Sequence, residues 1–206
     1  MKPKGSLLSK VFLLCFLLFG VYGHSQKDSN TSTFSFEELQ LPEGQRSNSV
    51  QSIAQDHYGF MWFASKNGLH RWDGFQFKTY RNNPEDSTSI GGNYVEKIFV
   101  SKNGSLWLGL GGGLENGLLD RFDYKTETFQ HYDFSTEMTT NMKAHFVVDI
   151  LEDINGDIWL GTHYGIHRLN IQTGIFKQYL HNPEDPKSLS HNICTTVYKD
   201  SEGTLW

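Results

Sequence analysis

Residues 153–159 of this chain read Asp-Ile-Asn-Gly-Asp-Ile-Trp, and this pattern decides the fold. The same spacing, Asp-x-x-Gly-x-x-Trp, recurs at three other tryptophans, with a serine replacing the aspartate at position 101. The residues that mark the repeat are Asp56, Gly59, Trp62, Gly104, Trp107, Asp153, Gly156, Trp159, Asp200, Gly203 and Trp206. Self-similarity at a period of this size indicates a repeat architecture.

Distances within the repeat are constant before each tryptophan and variable after it. A tyrosine precedes the next tryptophan by 27 residues in three repeats, at positions 80, 132 and 179. The distance from a tryptophan to the tyrosine that follows it is 18, 25 or 20 residues. A segment of constant length joined to one segment of variable length predicts a structural module with a single elastic loop, that is, one loop whose length varies between repeats.

Each repeat is predicted to form four short antiparallel strands. The first alternates apolar and polar residues, as at Val50–Ala54, and its copies are predicted at 94–100, 146–151 and 193–198. The Asp-x-x-Gly step then turns the chain into the strand that carries the tryptophan. A third and a fourth strand follow, as at Gly68–Trp72 and Phe75–Tyr80, with later fourth strands predicted at 128–132 and 175–179 and the turn before the former at 126–127. Four antiparallel strands in a unit of this length are typical of a β-propeller blade. We expect the tryptophans to lie between blades, because stacked blades need large flat side chains.

The sequence therefore predicts an all-β chain. Its fold is a partial β-propeller of about three four-stranded blades and the start of a fourth, after an N-terminal signal peptide. The predicted blades span residues 48–81, 93–133, 145–180 and 192–206, the last incomplete, and a lead-in segment covers 26–47. Because propellers close with roughly four to eight blades, we expect this chain to be a fragment of a longer product.

Charge and the N-terminus limit the classes of function. The formal net charge of -5 provides no basic field that would attract nucleic acid. Three lysines precede the apolar run at 11–21, and small and polar residues follow it, which predicts a secretory signal peptide at 1–25. Its cleavage would leave Cys194 as the only cysteine, so we expect no internal disulfide.

Several segments resemble one family of propellers. Residues 153–166, which read Asp-x-x-Gly-x-x-Trp-Leu-Gly-Thr-x-x-Gly-Ile, are similar to the two-component regulator propeller repeat. The linkers at 83–90 and 182–192 resemble the linkers of that family, and residues 39–50 resemble the start of its sensor regions. The sequence departs from the family pattern at Ala64-Ser65 and Leu110, where Gly-Thr is expected, and at 133–143, which lacks the Asn-Pro motif. These departures put the local loop shape in doubt and leave the fold unchanged.

The resemblance implies a sensor. In that family such propellers form the periplasmic input region of hybrid sensor histidine kinases, many of which respond to glycan fragments. The chain would therefore sense an extracellular oligosaccharide or a similar small ligand on the periplasmic side of the inner membrane, and pass the signal to a phosphorelay kinase outside this sequence. Membrane attachment would come from downstream regions, and a homodimer through the propeller stays open. We expect no enzyme activity, cofactor or metal in this fragment.

The expected ligand site lies on the face of the propeller that carries the elastic loops. If the first strand of each blade is innermost, this face collects the loops between the second and third strands and the linkers between blades. The candidate ligand residues on these loops are Lys66, Asn67, Glu115, Asn116, His163 and Tyr164. His163 and His167 have a spacing that makes a metal pair only on a helix, so we predict no zinc site.

Two other functions stay open. A secreted propeller would bind protein or carbohydrate as a scaffold without signalling. A propeller lyase or hydrolase would use loop carboxylates such as Glu115 or Asp133. That activity requires these carboxylates to converge on one face with raised pKa values.

Overall fold

The computed structural model describes residues 35, 37–42, 49–111, 118–134 and 146–206. The chain divides into two units, residues 1–39 and 40–206, and the strands described below belong to the second. The predicted signal peptide and most of the predicted lead-in segment lie outside the described residues. Within the described ranges, no helix is long and apolar enough to cross a membrane.

The described residues form three antiparallel sheets of four strands, each in the order of the sequence. Blade 1 contains β1 (Val50–Gln55), β2 (Met61–Ser65), β3 (Gly68–Trp72) and β4 (Phe77–Tyr80). Blade 2 contains β5 (Val95–Val100), β6 (Leu106–Leu110), β7 (Leu118–Asp123) and β8 (Thr128–Asp133). Blade 3 contains β9 (Val147–Glu152), β10 (Ile158–Thr162), β11 (Gly165–Leu169) and β12 (Phe176–Tyr179). The prediction of an all-β partial propeller is confirmed.

The first strand of each blade lies at the inner edge of its sheet. β1 contacts β5, and β5 contacts β9, so these strands follow one another around the propeller axis. The turns from first to second strand and from third to fourth strand therefore share one face, which we name the turn face. The loops from second to third strand and the linkers between blades lie on the opposite face, which we name the top face.

Aromatic side chains fill the interfaces between blades, as predicted. The buried ring of Trp62 lies 5.7 Å from the ring of Tyr80 and 5.0 Å from that of Phe122 in the next blade. Trp107 belongs to a second cluster that joins blades 2 and 3, where it packs with Ile150 and Leu169 among others. Each of these rings removes roughly 150–250 Å² from water, so apolar burial holds the blades together.

The Asp-x-x-Gly-x-x-Trp pattern is a hydrogen-bonded turn. In blade 1, Oδ1 of Asp56 accepts from the backbone N–H groups of Tyr58 and Phe60 at 2.9 and 3.0 Å. Oδ2 of Asp56 accepts from the indole N–H of Trp62 at 2.7 Å. The turns that begin at positions 153 and 200 repeat this arrangement, with indole distances of 2.9 Å. In all four turns the glycine has a φ between 83° and 90°, a left-handed conformation that glycine adopts without steric cost.

Both Asn-Pro linkers fold alike. In each, the asparagine before the proline exchanges hydrogen bonds with a serine six residues later, between Asn83 and Ser89 and between Asn182 and Ser188. Donor–acceptor distances in these bonds are 2.8–3.1 Å. The asparagine and serine of each linker, which belong to the segments that carry the family resemblance, therefore hold the linker in a closed loop.

The strand predicted at 193–198 is wrong. This segment lies beside β9, where the backbone N–H of Val197 and the hydroxyl of Thr196 donate to Asp149 at 3.0 and 2.8 Å. It pairs within its own blade only at one isolated bridge, between Lys199 and Leu205. A ladder needs a partner along its length, and only the last few residues of the chain lie opposite this segment.

Candidate functional site

Two loops on the top face, between β2 and β3 and between β10 and β11, carry four of the predicted ligand residues. In the first, the hydroxyl of Ser65 donates to the carbonyl of Gly68 at 3.1 Å and accepts from the N–H of Asn67 at 3.0 Å. Thr162 makes the equivalent pair of bonds, at 2.8 and 3.0 Å, in the loop that contains Tyr164. Serine at position 65 therefore does what threonine does in the family pattern, and the departure leaves the loop shape unchanged.

Aromatic side chains form a line across the top face. The ammonium group of Lys66 lies 5.4 Å from the centre of the Tyr94 ring. The Tyr94 ring lies 5.9 Å from that of Phe146, and the Phe146 ring lies 5.2 Å from that of His163. We name these four residues the aromatic row. Because Tyr94 and Phe146 directly precede β5 and β9, the row crosses the inner ends of the blades.

The structure brings together only some of the predicted ligand residues. Lys66 and His163 occupy the two ends of the aromatic row. Asn67 and Tyr164 are held in their loops through the backbone, since their carbonyls accept bonds from neighbouring side chains at 3.1 and 3.2 Å. Glu115 and Asn116 lie outside the described residues, so their placement stays a prediction.

A carboxylate lies beside the aromatic row. Burial, followed by the neighbouring Glu96 carboxylate, raises the pKa of Tyr94. Atom Oε2 of Glu96 is buried and accepts no hydrogen bond from the described residues. The row thus offers two aromatic faces, one cation and a carboxylate beside the Tyr94 hydroxyl. These groups are able to stack against the ring of a ligand and to form hydrogen bonds with hydroxyl groups on that ring.

Sequence reasoning missed Tyr94 and Phe146. Both directly follow the repeat position that lies 14 residues before a tryptophan, which is Asn93 in one repeat and His145 in the other. We predicted only strand starts here, although aromatic residues at two successive copies of one position were a usable signal. The two aromatic residues indicate a site only when both are known to lie on the same face of the propeller.

A cavity lies on the turn face, where no ligand residue was predicted. Its volume is about 770 Å³, and it lies between the β1–β2 turn of blade 1 and the β7–β8 turn of blade 2. We name it the cleft. Among the described residues, no group of three or more histidine, cysteine, aspartate or glutamate side chains is placed to hold a metal ion.

Comparison with known proteins relates two segments of the chain to one family. A family model described as the two-component regulator propeller matches residues 44–67 and 141–164. Over 74 residues, which are 36% of this chain and 5% of the relative, the sequence is 45% identical to histidine kinase P4 of Formosa agariphila. The chain therefore spans about a twentieth of the length of this curated relative.

Solved structures show the same architecture. One, described as the extracellular domain of hybrid two-component system BT3049 from Bacteroides thetaiotaomicron, has a TM-score of 0.64 and 27% identity. The alignment covers 81% of this chain and 23% of that one. The extracellular domain of BT4673 from the same organism has a TM-score of 0.62 and 20% identity, and it supports the fold. That alignment covers 84% of this chain and 21% of the BT4673 chain.

Proposed function

Because this chain carries two-component regulator propeller repeats, we propose that it is the ligand-sensing propeller of a hybrid histidine kinase. In this proposal it lies outside the inner membrane, after export by a cleaved signal peptide at 1–25. It recognises an oligosaccharide on the top face and transmits the change to a kinase encoded downstream. A homodimer through the propeller remains a further prediction.

The aromatic row is the observation that carries the proposal. Saccharide rings present apolar C–H faces and polar hydroxyl edges, so they bind where an aromatic surface adjoins hydrogen-bonding groups. Tyr94 and Phe146 supply the surface, Lys66 supplies donors, and the carboxylate of Glu96, next to Tyr94, supplies an acceptor. The row is long enough to contact successive sugar units, since three ring-to-ring or ring-to-cation steps of 5.2–5.9 Å compose it.

The position of the row supports a role in signalling. Lys66 belongs to blade 1, Tyr94 precedes blade 2, and Phe146 and His163 adjoin blade 3. A ligand on this row would contact all three blades at once and would favour one arrangement of them over others. The matched relatives are described as a histidine kinase and as an extracellular domain of a hybrid two-component system, which supports the link to a kinase.

A binding experiment tests the ligand class and the site together. Plant and algal oligosaccharides would be titrated into the full chain by calorimetry, with Tyr94→Ala and Phe146→Ala as site variants. We expect each variant to weaken binding by about tenfold, which corresponds to the loss of one stacking contact. Phe75→Ala is the matched control, because Phe75 is 91% exposed and lies on the turn face. Equal binding by all four proteins would refute the site.

A second experiment separates a sensor from a secreted scaffold. The complete gene product would be reconstituted in vesicles, and kinase autophosphorylation would be measured with and without the oligosaccharide that binds best. We expect the ligand to change the phosphorylation rate in the wild type and not in Tyr94→Ala. A bound ligand that leaves phosphorylation unchanged, or a gene product without a kinase, would favour the scaffold.

A further inference from the structure

The cleft on the turn face has an aromatic mouth made by both blades. The rings of His57 and Tyr58 from blade 1 lie 3.9 Å apart, and the ring of Tyr124 from blade 2 lies 5.2 and 5.1 Å from them. Tyr58 is 62% exposed, so its ring is open to solvent and to a ligand. The packing of blades needs buried rings, and it does not account for this exposed group.

The opposite end of the cleft is polar. The guanidinium of Arg71 on β3 lies 4.7 Å from the centre of the Phe60 ring and 2.9 Å from Oε1 of Glu127. Lys78 on β4 binds the other carboxylate oxygen of Glu127. The Arg71 and Glu127 side chains are 16% and 33% exposed, which leaves their charges poorly hydrated but within reach of a ligand. An arginine has five N–H donors, which is more than the contact with Glu127 engages.

The backbone of Glu127 is held in an unfavourable conformation. Its φ is 55°, in the left-handed region, and it is the only non-glycine residue described with a positive φ. The turn of blade 3 has Gly174 at this place, with a φ of 71°, and both residues donate the same backbone bond at 2.8 Å. A residue with a side chain is strained in this conformation, whereas glycine is not. Strain of this kind is typical of functional positions, and here it places a carboxylate in the cleft.

A buried hydroxyl group near Arg71 and Glu127 has no hydrogen-bond partner among the described residues. Tyr80 is 8% exposed, and its buried hydroxyl makes no hydrogen bond within the described residues. Burial raises the pKa of Tyr80, while the Arg71 charge lowers it and the Glu127 charge raises it, which places the hydroxyl close to this pair. An unsatisfied buried hydroxyl destabilises the folded chain, so the polar surroundings of Arg71 and Glu127 extend beneath the lining of the cleft.

Blade 3 shows that the polar end is a special feature of the cleft. Arg168 occupies the place of Arg71, since each pairs in register with the tryptophan of its blade. Arg168 closes on Asp157 of its own blade through two bonds, at 2.9 and 2.5 Å. Arg71 has a phenylalanine, Phe60, where blade 3 has that aspartate, and receives its carboxylate from the neighbouring blade.

We propose that the cleft is a second ligand site, for one neutral polyhydroxylated ring of monosaccharide size. Arg71 donates to the ring hydroxyls, Glu127 accepts from them, and the rings at the mouth stack against the apolar face. The lining of the cleft carries charges of both signs, from Arg71, Arg121 and Lys125 and from Asp123 and Glu127. A ring of hydroxyl groups suits this mixture, because each hydroxyl is able both to donate and to accept a hydrogen bond. This site is separate from the aromatic row, and its ligand would link blades 1 and 2.

Fluorine NMR of the full chain labelled with fluorotryptophan tests the proposal. Trp62 is the reporter, because Arg71 lies 5.6 Å from its ring, and Trp159 in blade 3 is the internal control. Methyl glycosides of glucose, galactose and mannose would be titrated to high millimolar concentration, with glucuronate as the anionic comparison. We expect at least one glycoside to shift the Trp62 resonance and to leave the Trp159 resonance unchanged.

Variants at position 127 separate a ligand role from a structural one. Glu127→Gln keeps the size of the side chain, Glu127→Gly copies blade 3, and Glu184→Gln removes an exposed carboxylate elsewhere as the matched control. We expect both Glu127 variants to bind the glycoside about tenfold or more weakly, because a charged acceptor is lost. The melting temperature of Glu127→Gly should stay near that of the wild type, since relief of strain offsets the lost ion pair.

The outcomes are decisive in either direction. The proposal fails if no glycoside shifts the Trp62 resonance, if only glucuronate does, or if both Glu127 variants bind like the wild type. It also fails if Tyr94→Ala abolishes the Trp62 shift, because the ligand would then be acting from the aromatic row. A Trp62 shift that is weakened by the Glu127 variants and retained in Tyr94→Ala establishes the second site, whether or not the aromatic row binds an oligosaccharide.

Discussion

Blades 1 and 2 have the same four-strand order but use different polar groups at equivalent positions. Their first turns begin with Asp56 and Ser101, and their third strands bury His70 and Asp120. Each of these four side chains is 5% exposed or less. The comparison teaches that apolar residues and turn glycines specify the blade, whereas the buried polar positions vary and give each blade its own chemistry.

The first turn of blade 2 shows how the loss of aspartate is compensated. The hydroxyl of Ser101 donates to Oδ1 of Asn103 at 2.6 Å and to the carbonyl of Ser105 at 3.1 Å. Oδ1 of Asn103 also accepts from the N–H of Ser105 at 3.0 Å. An amide two residues later therefore does part of the work of the missing carboxylate, and the backbone turn is preserved.

The third strands differ in what they bind. His70 lies between the hydroxyls of Ser65 and Thr79, at 3.1 and 3.0 Å, inside its own blade. Asp120 instead binds His131 at 2.7 Å and the backbone N–H of Gly91 at 2.8 Å. The blade 2 position thus fastens the first linker to the sheet, while the blade 1 position is satisfied locally.

The largest expected effect is a loss of stability in acid that depends on His70. Burial, followed by the charge of Arg81, lowers the pKa of His70 from 6.5 to about 4 in the folded chain. Protonation therefore favours unfolding, so this contribution is complete above about pH 6.5 and is lost as the pH falls towards 4. The loss amounts to about 3 kcal/mol, measured by urea unfolding across this range.

His70→Gln is the control for that measurement. The variant keeps the carboxylates that also titrate in acid, so the difference between the two pH profiles isolates the histidine. We expect a shallower slope in the variant between pH 6.5 and 4. Parallel profiles would show that His70 is not neutral and buried in the folded chain, and would remove this contrast with Asp120.

Removal of the turn carboxylate should be the next largest effect. Asp56→Ala leaves two backbone N–H groups and the Trp62 indole without their acceptor, and we expect a loss of about 2 kcal/mol in the free energy of unfolding. Ser101→Ala is the matched change in blade 2, with an expected loss below about 1 kcal/mol because Asn103 still accepts from Ser105. Equal losses would mean that the two turns are stabilised to the same degree, contrary to the comparison.

The sequence predicted most of the fold and little of the site. Each of the twelve strands described was predicted, because the alternation and the Asp-x-x-Gly turns are local signals. The fourth strands begin two residues or one residue later than predicted in blades 1 and 3, since Phe75 and Ile175 lie in turns and are 91% and 63% exposed. The segment at 193–198 failed because pairing depends on a distant partner, which local alternation does not report.

The sites were harder to predict because they are formed between repeats. Lys66 and His163 were predicted from their loops, but Tyr94 and Phe146 join them only through the order of the inner strands. Glu127 was read as part of a turn, and its contact with Arg71 crosses 56 positions and two blades. Such contacts depend on how blades stack, which spacing within one repeat does not show.

A smaller, stabilising effect should follow when the aspartate is restored in blade 2. Ser101→Asp provides an acceptor for the N–H groups of residues 103 and 105 and for the Trp107 indole, as in blade 1. We expect a gain of about 1 kcal/mol in the free energy of unfolding. Asn103→Ala should cost stability in the wild type and almost nothing beside Ser101→Asp, because the carboxylate then takes over. An unchanged cost of Asn103→Ala in both backgrounds would contradict this account of the turn.

The smallest effect should appear as the pH rises above about 6.5 and should involve the linker. Hydrogen bonding to Asp120 and, more weakly, to the Ser87 carbonyl raises the pKa of His131, against the opposing effect of burial. The protonated ring donates from both nitrogens, to Asp120 at 2.7 Å and to Ser87 at 3.0 Å. This stabilisation is complete below the unfolded pKa of about 6.5 and is lost as the pH rises through the folded value.

The readout for His131 is local as well as global. The N–H of Phe129 on β8 donates to the linker carbonyl of Thr88 at 2.9 Å, so its hydrogen exchange reports whether the linker stays docked. After correction for the intrinsic effect of pH, we expect protection of Phe129 to fall in the wild type as the pH rises through the folded pKa of His131. We expect no such fall in His131→Gln. Protection that depends on pH equally in both proteins would assign the effect to another group. The expected result would mean that equivalent buried positions of blades 1 and 2 respond to pH in opposite directions. The contribution of His70 to stability would be lost as the pH falls, and that of the Asp120–His131 pair would be lost as the pH rises.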